Sequence, residues 1–344
     1  MSAKANLKIS PHEISVVVQG PIYGKSGEAP NLRYTKAGLE SVRKYLPGSE
    51  IILSTWQGSD LAGLDFDVLV TSEDPGPLLM LGETGRPFTN NVNRLIVSTK
   101  EGIKRATRKY LLKLRSDLVL TGNDFLKYYG IFERRAAEYQ ILKNRVLAMY
   151  GCNPHRCSKA SFHPSDWYSF GLKEDVFNIW DVPLLKGANL RGAAVDGYYD
   201  QMVNLAAEQY VWVSFLRKYG PVKFEYFQDT QDDARRKSDL SQVNNLVFLT
   251  AAQLNIKSLK HCNRGHATTG FRRMIFYTHN EWRRLYNQYC HGDLKIVPHP
   301  QDGIDLLLVT LFFKMLPLNR WFKANHPKLH EKFRGLYYRA RCQH

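Results

Sequence analysis

Near the first third of the 344-residue chain, the apolar run Tyr110-Leu111-Leu112-Lys113-Leu114 breaks off into Arg115-Ser116-Asp117. The run has the length and make-up of a buried strand. Residues two apart in an extended chain point the same way, so the Arg115 guanidinium and the Asp117 carboxylate share a face. Charges at the end of a buried strand are costly unless they sit in a mouth that binds something. Open α/β sheets place their ligands at the carboxyl ends of strands, which makes this the first place to expect chemistry. The plainer alternative is an Arg-Asp salt bridge that closes the strand.

Two other acids have placements that suit proton transfer. Glu208 falls in the first turn of an expected helix, where it complements the helix dipole and is equally well presented as a general base. Asp166 lies in Ser165-Asp166-Trp167-Tyr168-Ser169-Phe170-Gly171, an acid set among rings. Cys152 and Cys157, with His155 and His163 nearby, raise the question of zinc. Their spacing is not a standard ligand pattern, and free thiols are expected.

The elements that must position these residues read as alternating strands and helices. Ile14 to Gln19 is a β-branched strand stopped at Gly20-Pro21. Leu32 to Leu46 carries helical spacing up to Pro47-Gly48. Glu50 to Trp56 and Phe66 to Val70 are two more strands, so the rhythm is that of a βαβ unit with a parallel sheet. A polar loop, Ser72 to Pro77, follows. Asn90-Asn91-Val92-Asn93-Arg94 opens a helix running to about Arg108, with asparagines that cap well. That helix feeds the strand bearing Arg115, so Asn93, Arg94, Arg115 and Asp117 lie in one βαβ-like excursion and could share a mouth. Capping alone would also explain the asparagines. Further on, the pattern predicts helix from Asp124 through Glu138, a strand over 146–150, helices over 173–180 and 206–219, a mobile charged loop from Asp229 to Ser241, and a strand over 246–249.

Hydrophobic content of 44% and charged content of 23% are those of an ordinary globular protein. The net charge of +16 is not ordinary and points to an anionic partner: nucleic acid, an acidic membrane surface or phosphorylated substrates. No helix-turn-helix, zinc-finger or RNP-like pattern accompanies it, so nucleic acid is not the expected partner. Five irregularly spaced cysteines argue against a disulfide framework. Neither a secretory signal nor a run of roughly 18 to 20 apolar residues is visible, and a cytoplasmic location is expected. From Lys314 onward eight Lys or Arg stand against the single acid Glu331, interleaved with Trp321, Phe322, Phe333 and Tyr337. Such a segment suits the headgroup region of an anionic membrane, or equally a basic helix packed on the body.

Several motifs, in order, resemble a known family: Ile14 to Pro21, Ile51 to Trp56, Asp74-Pro75-Gly76, Asn90 to Arg94, Lys113 to Asp117, Ser165-Asp166-Trp167 with Phe170-Gly171, and Glu208-Gln209-Tyr210. Together they resemble the WavE lipopolysaccharide-synthesis family of bacterial surface-polysaccharide proteins, over roughly residues 14 to 260. The resemblance implies an α/β, Rossmann-like glycosyltransferase of the GT-A type over residues 1–260, with a basic, aromatic, helical extension over 261–344. It would move a sugar, a hexose by expectation, from a nucleotide-sugar donor to a lipopolysaccharide, capsule or other surface glycan. Lipid-linked acceptors would place it on the inner face of the cytoplasmic membrane.

The resemblance implies a donor site built from Gln19, Gly20, Pro21, Ser72, Asp74, Asn93, Arg94, Lys113, Arg115 and Asp117. Ser72 and Asp74 match where such enzymes hold base and ribose, Asn93 and Arg94 where they touch diphosphate and sugar. A short acidic motif there commonly holds a divalent ion, Mn or Mg; here its first position is Arg115, leaving only Asp117 as a ligand. A guanidinium fork can neutralise a diphosphate itself. Glu208 matches the acceptor base of inverting members, with Asp166 as its rival. Arg115→Ala and Asp117→Ala are expected to cost activity with little change in melting temperature. The competing classes are a non-catalytic polysaccharide-assembly protein and a nucleic-acid binder.

Overall fold

The computed structural model describes residues 9–23, 34–81, 87–156, 159–186, 205–259 and 270–332. The chain runs β1 (Ile14–Gln19), α1 (Tyr34–Tyr45), β2 (Glu50–Trp56), β3 (Val68–Ser72), β4 (Leu78–Leu81), β5 (Pro87–Asn90), α2 (Val92–Arg105), β6 (Tyr110–Arg115) and β7 (Leu118–Leu120). It continues through β8 (Val146–Met149), β9 (Tyr168–Leu172), α3 (Lys173–Trp180), α4 (Ala207–Arg217), α5 (Ala234–Asn245), β10 (Leu246–Leu249), β11 (Ile256–Ser258), α6 (His279–Tyr289) and α7 (Pro300–Asn325).

Near-continuous apolar runs such as Ile14–Gln19 and Tyr110–Arg115 suit strands covered on both faces. Seven of them form one sheet in the order β10-β8-β9-β6-β1-β2-β3. β9 alone runs antiparallel to its neighbours β6 and β8; the remaining pairs are parallel. The protein is therefore mixed α/β with a mostly parallel central sheet. Cross-strand partners share a face, and the register pairs Val17 with Lys113, Gln19 with Arg115, and Lys113 with Ser169. That face carries unusual polarity for a buried surface, and helices lie over it. Gly102 of α2 lets the helix press on Val17 and Ser54, since a Cβ there would come 2.5 Å from Val17 Cγ1. Ser98 of α2 donates to Gln19 Oε1 at 2.6 Å. The opposite face is aromatic and dry: Phe170 packs against Tyr110, Phe125 and Tyr129.

Two expected elements differ. Between Asp124 and Glu138 only a short 3-10 turn, Asp124–Tyr128, is helical. The rest is irregular because side chains from elsewhere satisfy its backbone. Asn244 accepts from Ala136 N and donates to its carbonyl, Asn245 accepts from Ile141 and Leu142 N, and the buried Arg145 reaches Phe132 O and Arg134 O. The second difference is the charged stretch from Asp229, read as a mobile loop. From Ala234 it is the helix α5, whose Ser238, Asp239, Gln242, Asn244 and Asn245 are all buried. Its charges pair at the surface, Lys237 with Asp232 at 2.6 Å and Arg236 with Asp233 at 2.8 Å.

The main core continues beyond residue 260. Trp282 of α6 is fully buried and donates to Leu246 O at 2.9 Å, and Cys290 belongs to the same cluster. α7 instead packs on a small separate cluster formed with Met274 and Ile275. Among the described residues no helix is long and apolar enough to cross a membrane.

Candidate active site

The carboxyl ends of β1 and β6 lie side by side, so Gln19-Gly20-Pro21 and Arg115-Ser116-Asp117 meet at one edge of the sheet. Gly20 takes φ +121°, and a Cβ there would stand 3.0 Å from Ser116 Oγ. Both facts require glycine if the chain is to turn away from β1 this close to β6. Ser116 locks the turn by donating from N to Gln19 O at 2.9 Å and from Oγ to Pro21 O at 2.7 Å.

β6 ends at Arg115, and the turn that follows swings Asp117 back under it. The guanidinium forks onto Asp117, Nε to Oδ1 at 3.1 Å and one terminal nitrogen to Oδ2 at 3.2 Å. Its other terminal nitrogen lies 3.5 Å from Asp166 Oδ2. Burial works against its charge, but Asp166 and Asp117 more than offset this, and its pKa rises above the usual guanidinium value. Asp117 and Asp166 are 1% and 4% exposed, whereas the Arg115 side chain keeps 22% of its surface. The salt bridge read as the plainer alternative is thus present, and it holds a third residue as well.

Asp166 reaches this edge because β9 runs antiparallel beside β6, which brings its start to where β6 ends. A pocket opens beside it, between β8 and β9 on one side and α3 and α4 on the other. Asp166, Ser165, Ser169, Glu208, Trp180 and Trp212 line it. Glu208 stands in the first turn of α4. The turn is fixed by the next residue, the buried Gln209, whose amide donates to Ser161 O and Phe227 O at 2.7 and 2.9 Å. The two acids singled out in the sequence therefore face one cavity from elements about 40 residues apart.

The electrostatics of the pocket are tense. Burial raises the Glu208 pKa, neighbouring Asp166 adds to the rise, and His163 opposes it. His163 Nε2 lies 3.8 Å from Glu208 Oε2. Burial would lower the His163 pKa, but Cys152 and Glu208 beside it bring it up to about 9. Lys113 is fully buried beneath the pocket, its ammonium donating to Asp166 O and lying 4.7 Å from the centre of the Trp180 ring. Burial brings its pKa down to about 8 against the pull of Asp166. Three polar atoms here, Asp166 Oδ1, His163 Nε2 and Trp180 Nε1, are buried without a hydrogen-bond partner. Such atoms are rare in folded proteins, and a water or a ligand hydroxyl would satisfy them. His163 and Trp180 carried no functional signal in sequence beyond the zinc question; His163 lies three residues before Asp166.

Other donor-site candidates sit elsewhere or are engaged. Ser72 ends β3, where its carbonyl accepts from Gln57 N at 2.9 Å. Arg94 forks onto Asp74 at 2.7 and 2.5 Å, tying α2 to the loop after β3. This pair keeps about a third of its surface. Asn93 donates to Leu185 O at 3.0 Å and accepts from Leu185 N at 2.8 Å, so its amide holds the segment after α3. Helix capping was the other role read for the asparagines: Asn90, just before the helix, accepts from Val92 N at 2.9 Å, whereas Asn91 at the N-cap position makes no capping hydrogen bond with its side chain. Lys113 lies under the acid pocket, not at the turn.

The residues do not fit a divalent ion on Asp117. Both its oxygens are taken by the Arg115 fork, and no group of three His, Cys, Asp or Glu among the described residues could hold a metal. Cys152 is a free, buried thiol beside His163, whereas His155 turns away to bind Asp239 at 2.7 Å; Cys157 lies outside the described residues.

No curated protein sequence matches the chain. Among solved structures, a 4-diphosphocytidyl-2C-methyl-D-erythritol synthase from Anaerococcus prevotii aligns at 14% identity, over 53% of this chain and 83% of that one. Its TM-score of 0.28 is too low to carry an argument. The model of the WavE lipopolysaccharide synthesis family, by contrast, matches residues 14–301, which span every element of the site from β1 to α6, and the chain belongs to that family.

Proposed function

We propose that the protein is a glycosyltransferase that moves a sugar from a nucleotide-sugar donor to a lipopolysaccharide, capsule or other surface-glycan acceptor. The observation that carries this reading is the pocket at the carboxyl edge of the sheet, where Glu208 and the unpartnered Asp166 Oδ1 face one space. Transfer needs a base for the acceptor hydroxyl and a counter-charge for the departing diphosphate. Glu208 takes the proton as the acceptor oxygen attacks the anomeric carbon. Its raised pKa makes it a stronger base than an exposed carboxylate, and His163 steadies the charged form. The bond from that carbon to the diphosphate breaks, and the diphosphate leaves with the electron pair. Arg115, partly open at the ends of β1 and β6, is the cation that meets it. Asp166 orients the acceptor and is the alternative base.

The donor lies along the edge from Gln19-Gly20-Pro21 toward Ser72, Asp74 and Arg94. Residues 1–260 bind donor and carry the reaction, and 261–344 attach the protein to an anionic membrane surface, a division of roles rather than of packing. The acceptor is lipid-linked, and the protein works as a peripheral protein on the cytoplasmic face of the membrane.

A panel of UDP, GDP, CDP and CMP sugars, followed by release of free sugar, tests the reading. Glu208→Gln keeps the shape and removes the base, so donor binding should survive while transfer falls by roughly 100-fold or more. One observation favours a non-catalytic assembly protein: Arg94, Arg115 and Asn93 are already engaged within the chain. That reading wins if no sugar nucleotide is bound or hydrolysed.

A further inference from the structure

α7 is apolar on two opposite sides, which a helix at the surface of a soluble body does not need. Leu306, Val309 and Phe313 face inward onto Phe271, Met274 and Ile275. Arg273 bolts the same side near the helix start, reaching Asp302 at 2.7 Å and Asp305 at 2.9 Å. Ile304, Leu308, Leu311, Met315 and Leu318 recur at intervals of four and three, so they form one stripe on the outward side. All five are exposed, from 42% at Leu308 to 54% at Ile304 and Met315. The stripe is about 20 Å long at 1.5 Å per residue, and Trp321, 57% exposed, flanks its end.

We propose that α7 is an insertion helix: it lies parallel to an anionic bilayer with this stripe sunk into the boundary between headgroups and acyl chains. The inward bolts fix its orientation, so the body and its pocket sit at a set angle to the surface. The charge selects lipid over a second copy of the chain. From Lys314 to His344 there are eight Lys or Arg and one acid, a net +7 by subtraction (8 − 1). Two such segments pressed together would repel, whereas an anionic leaflet attracts each of them. A single projecting helix edge also matches the planar boundary of a bilayer, where amphipathic helices bury one side to about 5–10 Å. The inference deepens the membrane attachment in the proposed function and rests on it; insertion begins at Ile304, upstream of the basic tail.

Vesicle co-sedimentation of the full chain tests it, with vesicles of phosphatidylglycerol and phosphatidylethanolamine against vesicles of phosphatidylcholine. Leu308→Glu with Leu311→Glu alters only exposed positions and should weaken binding to the anionic vesicles by about tenfold or more, at low as well as high salt. Brominated lipids should quench the parent fluorescence more than that of Trp321→Phe. Donor hydrolysis should be the same in all these variants. Parent-like binding by the Leu308/Leu311 variant overturns insertion and leaves attachment by charge standing. Absence of vesicle binding by the parent overturns both. A lipid-independent dimer that the double variant breaks, without vesicle binding, assigns the stripe to a second copy instead.

Discussion

Replacing Arg115 by Met keeps the aliphatic reach of the side chain and deletes the charge between two carboxylates. Asp117 at 1% exposure and Asp166 at 4% would then be left without the cation that both touch. Breaking a buried pair by removing one partner costs about 3–5 kcal/mol, because the remaining charge stays desolvated. Arg115 is itself 22% exposed and water can partly replace it, so the low end, about 3 kcal/mol, is the expectation. One kcal/mol moves the melting temperature by about 2–4 °C in domains of 150–250 residues, which puts the loss at roughly 6–12 °C. This reverses the expectation from sequence that the melting temperature would hardly change. Thermal unfolding followed by circular dichroism measures it. Combining Arg115→Met with Asp117→Asn should cost less than the sum of the single changes, because the neutral amide no longer needs a cation. A melting temperature within about 1 °C of the parent would show that the guanidinium does not support the buried acids, and the site geometry argued from it would fall.

His163 gives a pH signature. Its pKa of about 9 lies above the unfolded value near 6.5, so its stabilisation is complete below pH 6.5 and is lost as pH rises through 9. The parent should therefore lose up to roughly 3 kcal/mol across that window relative to His163→Gln, and a pH-independent gap between the two in urea titrations would refute the interaction of His163 with Cys152 and Glu208. Gly20→Ala forces a side chain into φ +121° against Ser116 and should cost about 1–3 kcal/mol, read as a lower urea midpoint at unchanged slope. A chelator should leave donor turnover unchanged, because Arg115 occupies both oxygens of Asp117; complete loss would put a metal there.

Periodic burial was legible from the sequence alone. β1, β2 and α3 fall where the apolar runs and turn residues place them, because each element buries its pattern regardless of its neighbours. Glu208 and Asp166 could be picked out as acids in suspicious company. That they line one pocket was decided by β9 entering the sheet antiparallel between β6 and β8, and its pairing with β6 joins segments more than 50 residues apart, which no local pattern encodes. The same holds for α5, polar enough to pass for a loop. It is a helix because Asn244, Asn245 and their neighbours satisfy the backbone of an irregular segment about 100 residues earlier. Hydrophobic period is a property of a short stretch of chain and survives in the sequence. The worth of a buried polar group depends on which partner meets it, and only the tertiary structure supplies the partner.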